Sequence, residues 1–375
     1  MSFQIRVNGD VFTLWETASI TRSLDENCGK FQFTSSDTAP AGFPVRVGDL
    51  VQILIDGVSR VRGYVDQLDA TVSTSSHSVS VSGRDVVQDL IDSSVPDVAK
   101  VITGPISIEG VAQALIDAIG ANIGIESAVT GLEAFRGDDL LTADSGAQCM
   151  SFLEKFARKR QVYLTTNGRG DLRIFRPGEV KFATPLIQIP GDARNNVLDS
   201  KATYSTTDRF GTYVVRSQDN PAANPNADYK GDGVSRTGRS TDSQVRPSRY
   251  SEIEGEEAMS DAECAQRANE ESTISRARSV VYECTVQGTA GADGELWDYG
   301  KLVDVRDDIM GVRGAFLIRS VASSISLNGG TTSRIVCAPP DAFTQDGDAS
   351  TRTTRTARAS PQFVGEPVVS QGFRR

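Results

Sequence analysis

Two distant stretches of this chain repeat the same order of strands and turns, and this repeat limits the fold more than any other feature. The first runs Gly48-Asp49-Leu50-Val51-Gln52-Ile53, then Gly57-Val58 and Gly63-Tyr64-Val65. The second runs Gly300-Lys301-Leu302-Val303-Asp304-Val305, then Gly311-Val312 and Gly314-Ala315-Phe316-Leu317. In each copy a Ser-rich segment and a last strand follow, at Val79 to Gly83 and at Ile335 to Ala338.

A second block recurs in the same order. Thr21, Ser23, Gly29, Phe31 and Phe33 match Thr203, Ser205, Gly211, Tyr213 and Val215 at identical spacing. Sequences rich in β-strands can converge on one such pattern, but two blocks in the same order favour duplication. We therefore predict a mainly β protein of the α+β class, with two related antiparallel tube-type β-barrels.

The turns within these blocks are typical of hairpins. Asn8-Gly9 and Asp56-Gly57 each stand between runs of alternating apolar residues. Both dipeptides favour the positive φ angles of a type I′ turn, so each predicts a two-residue hairpin.

A change of apolar period predicts a small α/β insert over residues 93–180. The apolar positions from Ile108 to Ile119 follow a helical spacing, with Ser107 as N-cap and Gly120 just past the end. A second helix is expected after Ser145, with Gln148 completing a capping box.

These patterns divide the chain into four parts. The first barrel is expected at 1–92, the insert at 93–180, the second barrel at 181–340 and a C-terminal extension at 341–375. An extended polar arm and a helix at 216–274 are expected to interrupt the second barrel, since residues 221–247 are dominated by Asn, Asp, Gly, Ser, Pro and Arg.

Composition narrows the possible partners. The chain has 375 residues and a formal net charge of −10, so its surface as a whole offers no attraction to phosphate backbones. The five cysteines are scattered without a C-x-x-C pair and are expected to be reduced apolar fillers. We also expect no cleaved signal and no membrane-spanning segment.

No residue pattern predicts catalysis, a metal or a cofactor. His77 is the only histidine, and hydrolase, zinc-protease and P-loop motifs are absent from the sequence. Acidic pairs at 138–139, 256–257 and 307–308 are expected on solvated faces. The Arg169-Gly170-Asp171 tripeptide is expected to complete a turn, and the loop at Asp228 to Gly233 lacks calcium-loop spacing.

The C-terminal extension is expected to become ordered by a partner. Residues 351–358 alternate Thr, Ala and Arg without an apolar face. The predicted partner-binding residues are Arg352, Arg355, Arg358, Phe363 and Phe373.

As a whole, the sequence resembles the baseplate hub proteins of contractile-tailed phages, close to the Mu-like hub. It is more distantly similar to the late control D proteins and the N-terminal part of type VI secretion spikes. The resemblance rests on the hairpin ending in Trp15, the segment Ser82 to Ser94, Gly294 to Trp297, and the run Gly311 to Ile318.

This resemblance implies a structural, non-enzymatic homotrimer in the virion, assembled in the host cytoplasm. Its paired barrels would form a pseudo-six-fold ring between the hexameric tail tube protein and the trimeric central spike protein, beside other baseplate proteins, with DNA passing transiently through the lumen. Two alternatives stay open: the hub of a type VI or other contractile injection system, which a longer chain would favour, and a tail-associated cell-wall hydrolase.

Overall fold

The computed structural model describes residues 2–36, 42–73, 77–137, 140–218, 235–255 and 259–343. These residues divide into two compact units. One unit holds the residues up to 200 together with 284–337, and the other holds 201–283 and the described residues after 337. The predicted domain boundaries at 92, 180 and 340 stay predictions.

The first strands form an antiparallel sheet in which they are paired in the order β3-β4-β7-β6-β5-β1-β2. The strands are β1 (Phe3–Val7), β2 (Asp10–Phe12), β3 (Thr17–Ser23), β4 (Lys30–Ser35), β5 (Leu50–Ile55), β6 (Val58–Val72) and β7 (His77–Asp85). Asn8-Gly9 and Asp56-Gly57 all adopt positive φ, which confirms both predicted hairpin turns. Alternate residues such as Ile53, Val61 and Val81 are completely buried in one apolar core.

The insert has a core of its own. Its elements are the helices α1 (Gln88–Asp92), α2 (Ile108–Ile119) and α3 (Cys149–Lys159) and the strands β8 (Ile125–Ser127), β9 (Tyr163–Thr166) and β10 (Leu172–Phe175). The strands form a three-stranded sheet in the order β8-β10-β9. Apolar residues from all three helices pack with β9 and β10 in one buried cluster, as the predicted α/β insert requires.

The observed ends of α2 agree with the sequence prediction, whereas the observed start of α3 does not. Ser107 accepts a hydrogen bond from the Gly110 N–H at 3.2 Å and Gly120 has φ +68°, so both predicted ends of α2 are confirmed. The predicted capping box of α3 is wrong, because the helix begins one turn later, after Gln148, without a side-chain cap.

The remaining elements complete the chain. They are β11 (Leu186–Gln188), β12 (Val197–Tyr204), β13 (Thr212–Gln218), β14 (Ser235–Thr241), β15 (Tyr250–Glu254), α4 (Asp261–Arg278), β16 (Val280–Gln287), β17 (Leu302–Asp307), β18 (Val312–Ser326) and β19 (Gly330–Ala338). The five cysteines are buried and form no disulfide, as predicted for apolar fillers.

The predicted duplication is visible in the sheet. Strands β5, β6 and β7 have 6, 15 and 9 residues, and β17, β18 and β19 have the same lengths. The order of neighbours also repeats, since β3-β4-β7-β6-β5 corresponds to β12-β16-β19-β18-β17. The predicted match of Thr21 to Thr203 therefore lies on equivalent strands, β3 and β12. The match of Phe31 to Tyr213 is wrong, because β16 and not β13 takes the place of β4.

The described strands of both halves, β1 to β7 and the six strands β11, β12 and β16 to β19, join in one 13-stranded sheet. No closed barrel is detected among the described residues, so the two predicted barrels stay a prediction. The two halves are joined at β3, whose second edge pairs with β18. The prediction of a mainly β, antiparallel fold is confirmed.

Part of the predicted extended arm is folded. Strand β13 pairs with β14 on one edge and with β15 on the other. Tyr213 and Val215 on β13 pack with Met259, Cys264 and Ala268 in a small apolar core. Helix α4 begins with a capping box between Ser260 and Glu263 that the sequence analysis did not identify.

Two glycines allow β6 and β7 to cross closely, and they give a stability prediction. A Cβ on Gly63 would lie 1.8 Å from the Arg84 carbonyl oxygen, and one on Gly83 would lie 2.0 Å from the Tyr64 carbonyl oxygen. Either alanine must move the backbone of the partner strand. We expect Gly63→Ala and Gly83→Ala each to lower the free energy of unfolding by about 2 kcal/mol, measured by urea denaturation.

Gly42→Ala is the matched control, since nothing lies within 4 Å of a Cβ at Gly42. Its urea midpoint should equal that of the wild type. Equal midpoints for all three variants would contradict the close approach of β6 and β7.

Candidate assembly interface

The two halves of the main sheet join at one long strand, β18. Its first part, Val312 to Leu317, pairs antiparallel with β17. Its second part, Ser320 to Ser326, pairs antiparallel with β3, from Ser320 opposite Ser23 to Ser326 opposite Thr17. A strand of the first half thus continues the sheet of the second half, as in strand addition between separate chains.

The equivalent part of β6 has an open edge. Val58 to Tyr64 pair with β5, and Gly63 to Val72 pair with β7. Residues 66–72, which we call the β6 outer segment, have no second strand neighbour in the part of the chain that the structure describes. Six of its seven residues are exposed, whereas only Ser324 is exposed in the equivalent 320–326 of β18.

Strand β12 has the second open edge. It pairs with β16 alone among the described strands, whereas its equivalent β3 is covered on both edges. Leu198, Asp199 and Lys201 are exposed along it. An open strand edge is a template for another strand, so the β6 outer segment and β12 are candidate contacts between chains.

A buried ionic cluster lies between the first sheet, the insert and the segment before β17. We call it the Asp298 cluster. Arg22 on β3 donates to Asp298 Oδ2 at 2.7 Å and to the Thr166 carbonyl oxygen at 3.0 Å. Arg60 on β6 contacts the same carboxylate oxygen at 3.4 Å and donates to the Trp297 carbonyl oxygen at 2.8 Å. One carboxylate therefore holds two arginines from different strands.

Aromatic contacts and electrostatics support the ionic form of this cluster. The Arg22 guanidinium lies 5.0 Å from the centre of the Tyr299 ring, and the Tyr299 hydroxyl donates to the Thr166 carbonyl oxygen at 2.7 Å. Burial alone would raise the pKa of Asp298, but the charges of Arg22 and Arg60 hold that pKa below its usual value. The cluster was not predictable from the sequence, because no local pattern connects residues so far apart.

Other predicted features occupy structural positions. His77 is exposed and stands opposite Val72 at the end of the β6–β7 pair. The Arg169-Gly170-Asp171 tripeptide lies in the β9–β10 turn, where the Asn167 side chain accepts hydrogen bonds from the Arg169 and Asp171 N–H groups. That turn confirms the structural interpretation of the tripeptide.

The acidic pair at 307–308 was predicted to lie on a solvated face, but its first member is buried. Asp307 is completely buried and accepts a hydrogen bond from the Met310 N–H at 2.8 Å, because the turn after β17 needs an acceptor there. Asp308 is paired with Arg313 at 2.8 Å. The acidic pairs at 138–139 and 256–257 and the loop at Asp228 to Gly233 lie outside the described residues.

Within the described ranges, no group of three or more His, Cys, Asp or Glu side chains is placed to hold a metal ion. None of the helices described is both long and apolar enough to cross a bilayer. The predicted partner-binding residues lie outside the described residues: Arg352, Arg355, Arg358, Phe363 and Phe373.

Two family descriptions match parts of this chain. Residues 2–85, which hold β1 to β7, match the N-terminal domain of Mu phage baseplate assembly protein GpP-like. Residues 260–346, which include α4 and β16 to β19, match the fourth domain of Mu phage baseplate assembly protein GpP. The two matches contain the first and second copies of the repeated three-strand unit.

Similar proteins cover nearly the whole chain. Baseplate hub protein gp44 of Escherichia phage Mu is 27% identical over 350 residues, covering 90% of this chain and 88% of that protein. The 43 kDa tail protein of prophage MuSo2 from Shewanella oneidensis is 26% identical with a TM-score of 0.76, over 92% of this chain and 100% of that one. A tail protein from Neisseria meningitidis MC58 has the same fold, with 20% identity and a TM-score of 0.70 over 91% and 98% of the two chains. The resemblance to Mu-like tail hub proteins is confirmed.

Proposed function

We propose that this chain is a structural subunit of a phage tail baseplate hub, because residues 2–85 and 260–346 match the N-terminal and fourth domains of Mu phage baseplate proteins. Three copies form a ring in which each copy supplies two similar sheet halves. The ring joins a hexameric tail tube protein to a trimeric central spike protein. Its place is the virion, and it is assembled with the other baseplate proteins in the host cytoplasm.

The observation that carries the proposal is the duplication within one chain. Two halves that share strand lengths and neighbour order present similar edges and faces. Three such chains give six similar positions, so a threefold assembly can match a sixfold partner on one side and a threefold partner on the other.

A structural role also fits the chemistry of the described residues. They contain one histidine, which is exposed, and no group of side chains suited to a metal. In the proposed role the chain acts as a structural protein and not as an enzyme. The net charge of −10 suits a channel wall that DNA passes without stable binding, since stable binding requires cations to neutralise phosphates.

The C-terminal extension has a proposed role as well. Its arginines and phenylalanines, Arg352, Arg355, Arg358, Phe363 and Phe373, are proposed to contact a neighbouring baseplate protein. Binding assays with chains truncated after residue 343 would test this role separately from ring formation.

Native mass measurement tests the ring. We expect the purified protein, alone at high concentration or together with tube and spike proteins, to give a species of three times the 40.2 kDa chain mass. Electron microscopy of that species should show a ring with an open centre. A mass that stays at one chain when both partner proteins are present would contradict the proposed function.

A further inference from the structure

We infer that Phe373, with the two arginines that follow it, binds in an apolar groove beside β1 and β2. We call this surface the Trp15 groove. It has a volume of about 270 Å³, and its lining includes Phe3, Val11, Trp15 and Leu54. The inference rests on the proposed role of the C-terminal extension, because it names the surface that Phe373 contacts.

The Trp15 groove is apolar and open to solvent. The rings of Phe3 and Trp15, which both line it, lie edge to face with their centres 4.7 Å apart. Val11 in the lining is 53% exposed. Leu14 and Val58, which adjoin lining residues in the sequence, are 40% and 52% exposed. Apolar side chains exposed together around a concave surface are typical of a binding site.

The strand beside the groove favours an extended occupant. Strand β2 stands at the end of the order of strands and pairs with β1 alone in the part of the chain that the structure describes. Its outer edge therefore offers backbone groups to another extended segment. Val11 and Phe12 belong to both β2 and the lining, so a segment along β2 can place one side chain in the groove.

The charges around the groove favour a basic occupant. Three exposed acidic residues directly adjoin lining residues in the sequence, and no basic residue does so: Asp10, Glu16 and Asp56. Arg6 on β1 is half-buried, and it donates to Gln4 Oε1 at 3.1 Å. The acidic charges therefore predominate at the rim, where they attract a segment of opposite charge.

The C-terminal extension contains a segment with both properties. Phe373 supplies an aromatic side chain, and Arg374 and Arg375 directly after it supply two positive charges. Phe363 is the other aromatic residue after 343, but the charged residue closest to it is Glu366. Like charges at the acidic rim disfavour the Phe363 segment, so charge selects Phe373.

The extension is long enough to reach the groove. Phe373 stands 30 positions after Phe343, where the described residues end. Thirty extended residues span about 100 Å, several times the roughly 13 Å radius of gyration of a 100-residue domain. The Phe373 segment can therefore reach the groove of its own chain or that of a second copy.

Fluorescence quenching tests whether Phe373 covers the groove. The chain has two tryptophans, and Trp297 is only 2% exposed, so quenching by acrylamide reports mainly on Trp15. We expect Phe373→Ala to be quenched about twofold more strongly than the wild type, because a neighbouring aromatic ring no longer shields the indole. Phe363→Ala is the matched control, and its quenching should equal that of the wild type.

Cysteine cross-linking tests the location. The five native cysteines are buried, so new exposed thiols can be oxidised selectively. A full-length chain with Gly372→Cys and Leu14→Cys should form a disulfide between these positions, within one chain or between two copies. A chain with Gly372→Cys and Val98→Cys should form none, although Val98 in the insert is 85% exposed.

Charge reversal in the cross-linking variant tests the role of the arginines. Arg374→Glu with Arg375→Glu should slow the disulfide between positions 372 and 14 about tenfold, because acidic side chains then meet an acidic rim. Arg352→Glu with Arg355→Glu changes the net charge by the same amount and should leave the rate unchanged. Equal slowing by both pairs of substitutions would overturn the basic segment as the feature that is recognised.

The outcomes distinguish this inference from the proposed function. Equal quenching of Phe373→Ala and wild type, with no disulfide between positions 372 and 14, would overturn the contact. A species of three chain masses in the same preparation would leave the hub function standing. A disulfide in a protein that keeps the mass of one chain beside tube and spike proteins would support the contact and contradict the ring. Stronger quenching of Phe363→Ala than of Phe373→Ala would overturn the assignment of Phe373.

Discussion

Replacement of Asp298 by asparagine is expected to lower the free energy of unfolding by about 3–5 kcal/mol, the largest effect of any single change considered for this chain. The Asp298 side chain is 18% exposed and faces two arginines, Arg22 and Arg60, whose side chains are only 3% and 10% exposed. An amide keeps the shape of the side chain but removes its charge. The Arg60 guanidinium would then remain buried without a counter-charge, and Arg22 would keep only the nearby charge of Asp85.

The size of this effect depends on burial, and a surface pair provides the comparison. Asp308 and Arg313 are 2.8 Å apart, close to the 2.7 Å between Asp298 and Arg22, but their side chains are 29% and 55% exposed. Water screens an exposed pair, so Asp308→Asn should cost at most about 1 kcal/mol. Urea denaturation of the two variants beside the wild type gives both values.

A double variant separates the ion pair from simple loss of packing. Arg22→Met should cost much less in the Asp298→Asn background than in the wild type, because the partner charge is already absent. Additive losses would show that Arg22 and Asp298 act independently. Equal losses for Asp298→Asn and Asp308→Asn would show that the cluster contributes no more than a surface pair.

Local patterns in the sequence predicted the elements whose cause is local. The Asn8-Gly9 and Asp56-Gly57 turns form because these dipeptides tolerate positive φ, and α2 begins and ends at Ser107 and Gly120 for reasons contained in its own residues. The duplicated three-strand unit was also predictable from local sequence. Its turns and apolar alternation recur in both copies and could be recognised without any long-range contact.

Pairing between distant segments was not predictable in the same way. The sequence matched Tyr213 to Phe31 because the spacing from Thr203 is conserved between the copies, but β13 belongs to a separate small sheet. The segment from β13 to α4 separates β12 from its true partner β16. A pattern of spacing contains no information on which strand lies beside another after such an insertion.

The same limit explains why the joining of the two halves and the Asp298 cluster were not predicted. The sequence predicts that β3 is a strand with two edges that can each pair with a neighbour. It does not predict that β18, about 300 residues later, pairs with one of these edges. Arg22 and Asp298 meet only after that pairing is made. The candidate interface therefore became visible only when the covered and open copies of one strand could be compared.

A second large effect is expected at Asp85, whose carboxyl group is completely buried at the end of β7. Burial raises the pKa of this group to about 6, and the hydrogen bond from the Val87 N–H and the nearby charge of Arg22 only partly oppose the rise. An aspartate in an unfolded chain has a pKa of about 3.9. Between these two pH values the folded protein retains a proton that the unfolded chain has released.

The sign of the pH dependence follows from that difference. The protonated carboxyl contributes its full stability below about pH 4, and this contribution is lost as the pH rises through about 6. A difference of about two pH units corresponds to about 3 kcal/mol. At pH 7.5, Asp85→Asn should therefore unfold at a higher urea concentration than the wild type, and at pH 4 the two midpoints should converge.

The matched control is Asp144→Asn, since the Asp144 side chain is 87% exposed. Its midpoint should follow that of the wild type from pH 4 to 7.5. If Asp85→Asn also followed the wild type over this range, the Asp85 carboxyl would have the same pKa in the folded and unfolded chain. The burial of Asp85 at the end of β7 would then impose no electrostatic cost near neutral pH.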